Sequence, residues 1–177
     1  LFGDYKGYAY TADQLPTTHP VMCDVKDTDV AETHFDEIVY EKGSSMLKQM
    51  YYFIGDEIFQ KGLKEYFKTY KWSNTSFDDF IEKMVEAAEG KMNNLRELCD
   101  SWLKKAGLNE ISLEMEVNEA DKKIKKFVIK QKPCLDSHPN LQYHKVDILF
   151  IYDFKDAKAN KVFPQIMIDN KPETVLD

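Results

Sequence analysis

The spacing of apolar residues divides the chain into a first part with helical periodicity and a second part with strand periodicity. Between Gly43 and Leu103 the apolar residues recur every three or four positions, which predicts four amphipathic helices. The apolar positions of these helices are, in order, Met46, Leu47, Met50, Tyr51 and Ile54; Ile58, Phe59, Leu63, Tyr66, Phe67 and Tyr70; Phe77, Phe80, Ile81, Met84 and Val85; and Leu95, Leu98, Cys99, Trp102 and Leu103.

Short polar residues and glycines predict where these helices begin and end. In "GDE", Asp56 is an acceptor placed to cap the second helix. Ser76 opens "SFDD", an S-x-x-D pattern that predicts a capping box at the start of the third helix. Gly107 is expected to end the fourth helix.

After Gly107 the pattern alternates with a period of two, which is typical of strands. "ISLEMEV" places Ile111, Leu113, Met115 and Val117 on one face. "IKKFVIKQ", "YHKVDILFIYDF" and "VFPQIMI" predict three more strands, and "PETV" follows a last turn. We therefore expect an α+β chain with a boundary near Leu108: a helical domain over residues 1–107 and a β-sandwich domain, complete or not, over residues 108–177.

Composition and charge narrow the function classes. The 177 residues are 43% hydrophobic and 31% charged, as in a globular protein, and the net charge of −7 argues against a nucleic-acid partner. No apolar run is long enough to predict a membrane span. Three widely spaced cysteines (Cys23, Cys99 and Cys134) indicate a reducing compartment, so a cytoplasmic location is expected. Because the chain begins with Leu1 rather than Met, we expect a processed product or a fragment.

The histidines form no recognisable metal motif. None of His19, His34, His138 and His144 belongs to an H-x-x-E or C-x-x-C arrangement, so the sequence predicts no self-contained metal site. His138 and His144 are expected at the surface, and His19, which precedes Pro20, in extended chain. Nucleophile-elbow, P-loop and Rossmann patterns are also missing from the sequence.

Tyr40 is the one unusual candidate, because it stands in "DEIVYEKGSSMLKQM" at the start of the first amphipathic helix. It could be an aromatic plug that anchors the helix, and periodicity alone favours this interpretation. It could instead be a phenol directed into an active site.

Several segments, in order, resemble the zinc aminopeptidases of the aminopeptidase N (M1 metallopeptidase) family. They are "DQLPTTHPV", "FDEIVYEKGSSMLKQM", "YFIGDEIFQKGLKEYF" with "WSNTSFDDF", "WLKKAGLNEISLE" and "HPNLQYHKVDILFIYDF". The resemblance covers nearly the whole chain. It implies the helical C-terminal lobe of a thermolysin-like peptidase domain, followed by a small β-sandwich.

The resemblance also implies a role for Tyr40. The tyrosine of the family's Y-x-K-G segment contacts the substrate, where a phenol can donate a hydrogen bond to the carbonyl oxygen as negative charge develops. Lys42 and Gly43 are interpreted as structural, with Gly43 allowing tight passage of the backbone into the helix. Glu41 is not the general base, which the family places in its zinc motif.

The chain departs from the family pattern because H-E-x-x-H, the downstream glutamate ligand and G-x-M-E-N do not occur in it. Zinc is therefore expected only in the complete enzyme, and this chain alone is expected to be inactive. Its helices should expose apolar faces that the upstream portion of the same protein, or another chain, would cover. The first hypothesis is that the chain is part of an aminopeptidase that acts on a peptide substrate. The alternative is a non-catalytic fragment that serves as a structural or docking subunit.

Overall fold

The computed structural model describes residues 2–90, 94–121, 123–151 and 160–176, with residues 2–4 described by their backbone alone. A helical lobe precedes a small β-sandwich, so the fold is α+β. The helical elements are α1 (Phe2–Ala12), α2 (Thr28–Thr33), a π-helical turn (Ile38–Lys42), α3 (Gly43–Ile54), α4 (Asp56–Thr69), α5 (Phe77–Ala88) and α6 (Leu95–Leu103). The strands are β1 (Asn109–Val117), β2 (Ile124–Pro133), β3 (His144–Phe150), β4 (Lys161–Ile168) and β5 (Glu173–Leu176).

The helical core is formed mainly by α3, α5 and α6. Its buried members are Met46, Met50, Phe53, Ile54, Ile81, Met84, Leu95, Leu98, Cys99 and Leu103. The predicted stripe of α3 was partly wrong, because Leu47 and Tyr51 are 44% and 43% exposed whereas Phe53 is buried. Helix α3 packs against both α6 and the start of β3, and the side toward β3 includes Phe53. The apolar pattern of α3 alone does not show that this helix contacts β3 as well as α6.

Of the three predicted helix ends, one is confirmed and two were wrong. The capping box of α5 is confirmed: Asp79 N–H donates to Ser76 Oγ, and Ser76 N–H donates to the Asp79 carboxylate. The cap at Asp56 was wrong, because α4 begins at that residue and Gly55, with φ of +82°, is its N-cap. Gly107 does not end α6 either, since that helix ends at Leu103 with Lys104 as its C-cap.

Two antiparallel sheets, with strand orders β1–β2–β5 and β3–β4, pack face to face. Phe127, Ile129 and Ile168 are the buried centre of this packing. The apolar side chains of β1 stay 40% to 61% exposed, because β1 is an edge strand and the described part of the facing sheet has only two strands. The predicted strand over residues 143–154 begins as β3, but its residues 152–154 lie outside the described residues.

Helix α1 and the short helix α2 were not predicted, because their sequences carry little helical periodicity. The change from helices to strands falls between Leu103 and Asn109, while the division into two domains stays a prediction. No helix in the described ranges combines the length and apolar character needed to cross a membrane.

The helical lobe and the sheets are joined by hydrogen bonds at the start of β3. Lys145 Nζ donates to the carbonyl of Phe53 at 2.8 Å, and Trp102 Nε1 donates to the carbonyl of Tyr143 at 2.7 Å. His144, expected at the surface, instead lies edge-on to Trp102 with ring centroids 5.2 Å apart. Burial lowers the pKa of His144 to about 4, because the charged imidazolium loses solvation there.

Candidate active site

The π-helical turn presents Tyr40 to solvent. The turn runs directly into α3, and π-helical turns occur frequently at functional sites. Tyr40 is 54% exposed, and its ring meets the ring of Phe35 at a centroid distance of 5.0 Å. Ile38, two residues earlier, is buried. Ile38 and Lys42 are thus the buried residues of this turn, and the phenol of Tyr40 is available to a second molecule.

Asp36 fixes the start of the turn. Its Oδ1 accepts hydrogen bonds from the backbone N–H groups of Ile38 (3.0 Å) and Val39 (3.1 Å), and its Oδ2 lies 2.7 Å from His19 Nε2. Partial burial acts to raise the pKa of Asp36, but the hydrogen bonds from His19, Val39 and Ile38 outweigh burial and lower the pKa below its ordinary value. We call the Asp36–His19 contact the outer anchor.

Lys42 fixes the end of the turn. Its ammonium lies 2.9 Å from Asp13 Oδ2 and donates to the carbonyl of Gly107 at 3.2 Å and to that of Lys105 at 3.4 Å. Asp13 Oδ1 accepts from Thr18 Oγ1 (2.6 Å) and from the N–H of Gly107 (3.1 Å). We call the Asp13–Lys42 pair the inner anchor, because it ties the end of α1 and the helix-to-strand connection to the turn.

Gly43 does not have the role that the sequence indicated. Its φ of −60° is ordinary for a helix, and an added Cβ would meet only Val21 Cγ1, at 3.5 Å. The interpretation of a tight backbone passage is therefore wrong, whereas the structural interpretation of Lys42 agrees with its place in the inner anchor.

Tyr40 and Glu41 line different cavities. Tyr40 borders an apolar groove whose walls include Val21, Val39 and Leu47. Glu41 borders a second cleft, more polar than the groove, that also contains the inner anchor and His144. The two neighbouring side chains therefore line different cavities, and the expectation that Glu41 is not the general base stays a prediction.

The structure brings together residues that sequence reasoning left apart. His19, Cys23 and His34 converge although they follow no metal motif, and Asp13 reaches Lys42 across 29 positions of sequence. The one usable signal was Asp36, an aspartate directly before a helical start, which is a common capping position. The other contacts arise from the packing of α1 and of the irregular segment after it.

Comparison with known proteins finds one matching family and several similar aminopeptidases. The model of the peptidase family M1 domain matches residues 4–102, more than half of the chain. Aminopeptidase N of Streptomyces lividans is 38% identical over 148 residues, covering 81% of this chain and 17% of the relative. Aminopeptidase 2 of Candida albicans is 35% identical over 107 residues, covering 60% of this chain and 11% of the relative.

Among solved structures, aminopeptidase A of Legionella pneumophila in complex with aspartic acid superposes with a TM-score of 0.58 at 19% identity. The match covers 81% of this chain and 15% of that one, and it supports the fold. The chain therefore spans less than a fifth of the length of each of these proteins.

Proposed function

This chain belongs to peptidase family M1, and we propose that it forms part of a zinc-dependent aminopeptidase that removes residues from the amino termini of peptides. In this proposal Tyr40 stabilises the tetrahedral intermediate. The observation that carries it is an exposed phenol on a turn that is anchored at both ends. A tyrosine that anchored the helix within this chain would be packed into its core, as Ile38 is.

The chemistry of the phenol fits the task. When a peptide carbonyl is attacked, negative charge develops on its oxygen, and a fixed O–H donor beside that oxygen binds the transition state more strongly than the substrate. Two anchors keep the backbone of the turn in place, so the donor needs little reorganisation as the charge develops. Loss of one such donor typically lowers kcat by roughly 100- to 1,000-fold.

The catalytic zinc of such an enzyme would be held by residues outside this chain, because no H-E-x-x-H pattern occurs in its sequence. Zinc, when bound, supplies a Lewis acid that polarises the carbonyl. The contribution of this chain is the positioned phenol and one wall of the site.

We also propose that the apolar groove beside Tyr40 is covered by the rest of the same protein. The groove is lined almost entirely by apolar atoms, including those of Met22, Leu47 and Phe77. The matched relatives are several times longer than this chain, so their remaining length is ample to cover such a face. Slower hydrogen exchange of α3 in the complete protein than in this chain would support the proposal, and equal exchange would contradict it.

The test of the function is Tyr40→Phe in the complete protein, assayed on an aminoacyl substrate. We expect kcat to fall by roughly 100- to 1,000-fold with unchanged zinc content and circular dichroism. The control is Tyr51→Phe, which alters a similarly exposed phenol on α3 and should leave kcat within a factor of a few.

If Tyr40→Phe retains activity within a factor of a few, the catalytic role is wrong. If the complete protein has neither zinc nor peptidase activity, the non-catalytic docking subunit becomes the better description.

A further inference from the structure

Three potential metal ligands, one of which is His19 of the outer anchor, lie close together. His19 and Cys23 lie in the irregular segment between α1 and α2, and His34 is the residue that caps the C-terminus of α2. Each offers one ligand atom, and all three ligand atoms lie within 4.8 Å of one another. Two imidazole nitrogens and one sulfur are ligand types that zinc prefers in proteins.

A second observation, on His34, also points to a bound cation. Its Nδ1 is buried and has no hydrogen-bond partner. Buried polar atoms in native proteins are nearly always paired, so each exception needs a physical explanation. The ring also lies edge-on to the ring of His19, with centroids 4.5 Å apart. A cation bound between these residues would supply the missing partner.

One ring nitrogen of His19 is held as in many metal-bound histidines. Its Nε2 lies 2.7 Å from Asp36 Oδ2, and such a hydrogen bond to a carboxylate commonly holds a ligating imidazole in position. Its Nδ1 lies 2.9 Å from the carbonyl of Pro20. Zinc binding at Nδ1 would replace that second hydrogen bond and keep the one to Asp36.

We propose that His19, Cys23 and His34 bind one zinc ion, with a water molecule as the fourth ligand. On binding, the Cys23 thiol releases its proton to solvent and coordinates as a thiolate, while each neutral imidazole donates a nitrogen lone pair. The bound ion joins the segment after α1 to the end of α2, next to Asp36. It therefore stiffens the segment that leads into the turn carrying Tyr40.

The other two cysteines provide internal controls. Burial, followed by the nearby Asp100 carboxylate, raises the pKa of Cys99 to about 12, so that thiol stays protonated and is a poor metal ligand. Cys134 is exposed and belongs to no cluster of metal-ligand residues in the described ranges. A thiolate signal can thus be assigned to Cys23 by substitution.

The first test is titration of the complete protein, with its catalytic zinc bound, with Co²⁺, followed by absorption spectroscopy; a catalytic site without cysteine ligands gives no thiolate band. We expect one Co²⁺ per chain and a thiolate-to-cobalt charge-transfer band, which Cys23→Ser abolishes and Cys134→Ser retains. His34→Gln removes a ligand and should weaken Co²⁺ binding by roughly 100-fold or more, beyond the loss typical of an outer-shell partner. A folded wild-type chain without the band, or a band that persists in Cys23→Ser, would overturn the proposal.

A second measurement separates loss of the site from loss of the fold. Zn²⁺ should raise the Tm of the wild-type chain by mass action, whereas Cys23→Ser should unfold at a Tm that Zn²⁺ does not change. Asp36→Asn should keep the thiolate band but bind Co²⁺ roughly 10- to 100-fold more weakly, because the orienting carboxylate is lost. A wild-type Tm that does not respond to Zn²⁺ would contradict the site.

Discussion

The two ends of the Tyr40 turn are held by acid–base pairs of similar length in very different surroundings. In the outer anchor, His19 and Asp36 are 17% and 27% exposed, and their atoms are 2.7 Å apart. In the inner anchor, Lys42 and Asp13 are 4% and 2% exposed, and their atoms are 2.9 Å apart. Removing one partner of a buried pair leaves a charge without solvent or counter-charge, whereas water can replace part of an exposed pair. The inner anchor should therefore govern stability and the outer anchor the fine position of the phenol.

The largest effect is expected from Asp13→Asn. The amide can still accept the hydrogen bonds of Thr18 and Gly107, but the Lys42 ammonium is left buried without its counter-charge. We expect the free energy of unfolding to fall by about 3–5 kcal/mol. Urea unfolding followed by circular dichroism measures this change.

The matched control is Glu65→Gln, which breaks the exposed Lys68–Glu65 pair, whose side chains are 76% and 50% exposed. It should change the free energy of unfolding by less than about 1 kcal/mol. If the two variants lost similar stability, the distinction between buried and exposed pairs would not hold in this molecule.

As the pH falls, protonation of His144 beside the inner anchor should destabilise the fold before protonation of Asp36 in the outer anchor does. His144 lines the same cleft as Asp13 and Lys42, and its pKa of about 4 in the folded state lies below the ordinary value near 6.5. The unfolded state therefore binds more protons between these values, so stability is fully present above about pH 6.5 and falls as the pH drops toward 4. The total loss is at most about 3–4 kcal/mol.

Denaturant unfolding at several pH values, compared between the wild type and His144→Gln, measures this dependence. The variant should lose most of the slope between pH 6.5 and 4. An identical slope in both proteins would assign the acid sensitivity to other groups.

A smaller effect is expected from Asp36→Ala, which removes the acceptor of two backbone N–H groups at the start of the turn. The loss of unfolding free energy should be about 1–2 kcal/mol, as for other helix caps. Because the folded-state pKa of Asp36 is lowered, its contribution is present above the ordinary pKa of an aspartate and disappears as the pH falls through the folded-state value.

Asp36→Ala and wild type should thus converge in stability at the acid end of a pH series. In the complete enzyme the variant should lower kcat more than its modest instability would suggest, because the phenol is less well positioned. A kcat equal to that of the wild type would show that the outer anchor does not position Tyr40.

Sequence patterns predicted the elements whose signals are local. Examples are the capping box at Ser76 and the strand β1, both of which depend on residues a few positions apart. The segment containing Tyr40 was found through its resemblance to a family, since periodicity alone favoured a buried plug.

The contacts that hold Tyr40 could not be predicted in the same way. Asp13 lies on a segment just after α1, a helix with a weak apolar stripe, and it meets Lys42 only because several elements pack together. His144 was expected at the surface because it stands beside a turn, and the sequence does not show that the helical lobe contacts the start of β3. His19, Cys23 and His34 converge for the same reason, through the packing of an irregular segment.

The most direct test of the central claim compares two inhibitors in the complete enzyme, in wild type and Tyr40→Phe. One inhibitor is a phosphinic peptide that mimics the tetrahedral intermediate, and the other resembles the ground-state substrate. If Tyr40 stabilises the developing oxyanion, the variant should bind the phosphinic peptide roughly 100- to 1,000-fold more weakly, in proportion to its loss of kcat/KM, and bind the substrate-like inhibitor almost unchanged. Equal weakening of both inhibitors would show that Tyr40 contributes only to general binding, and the catalytic account would be wrong.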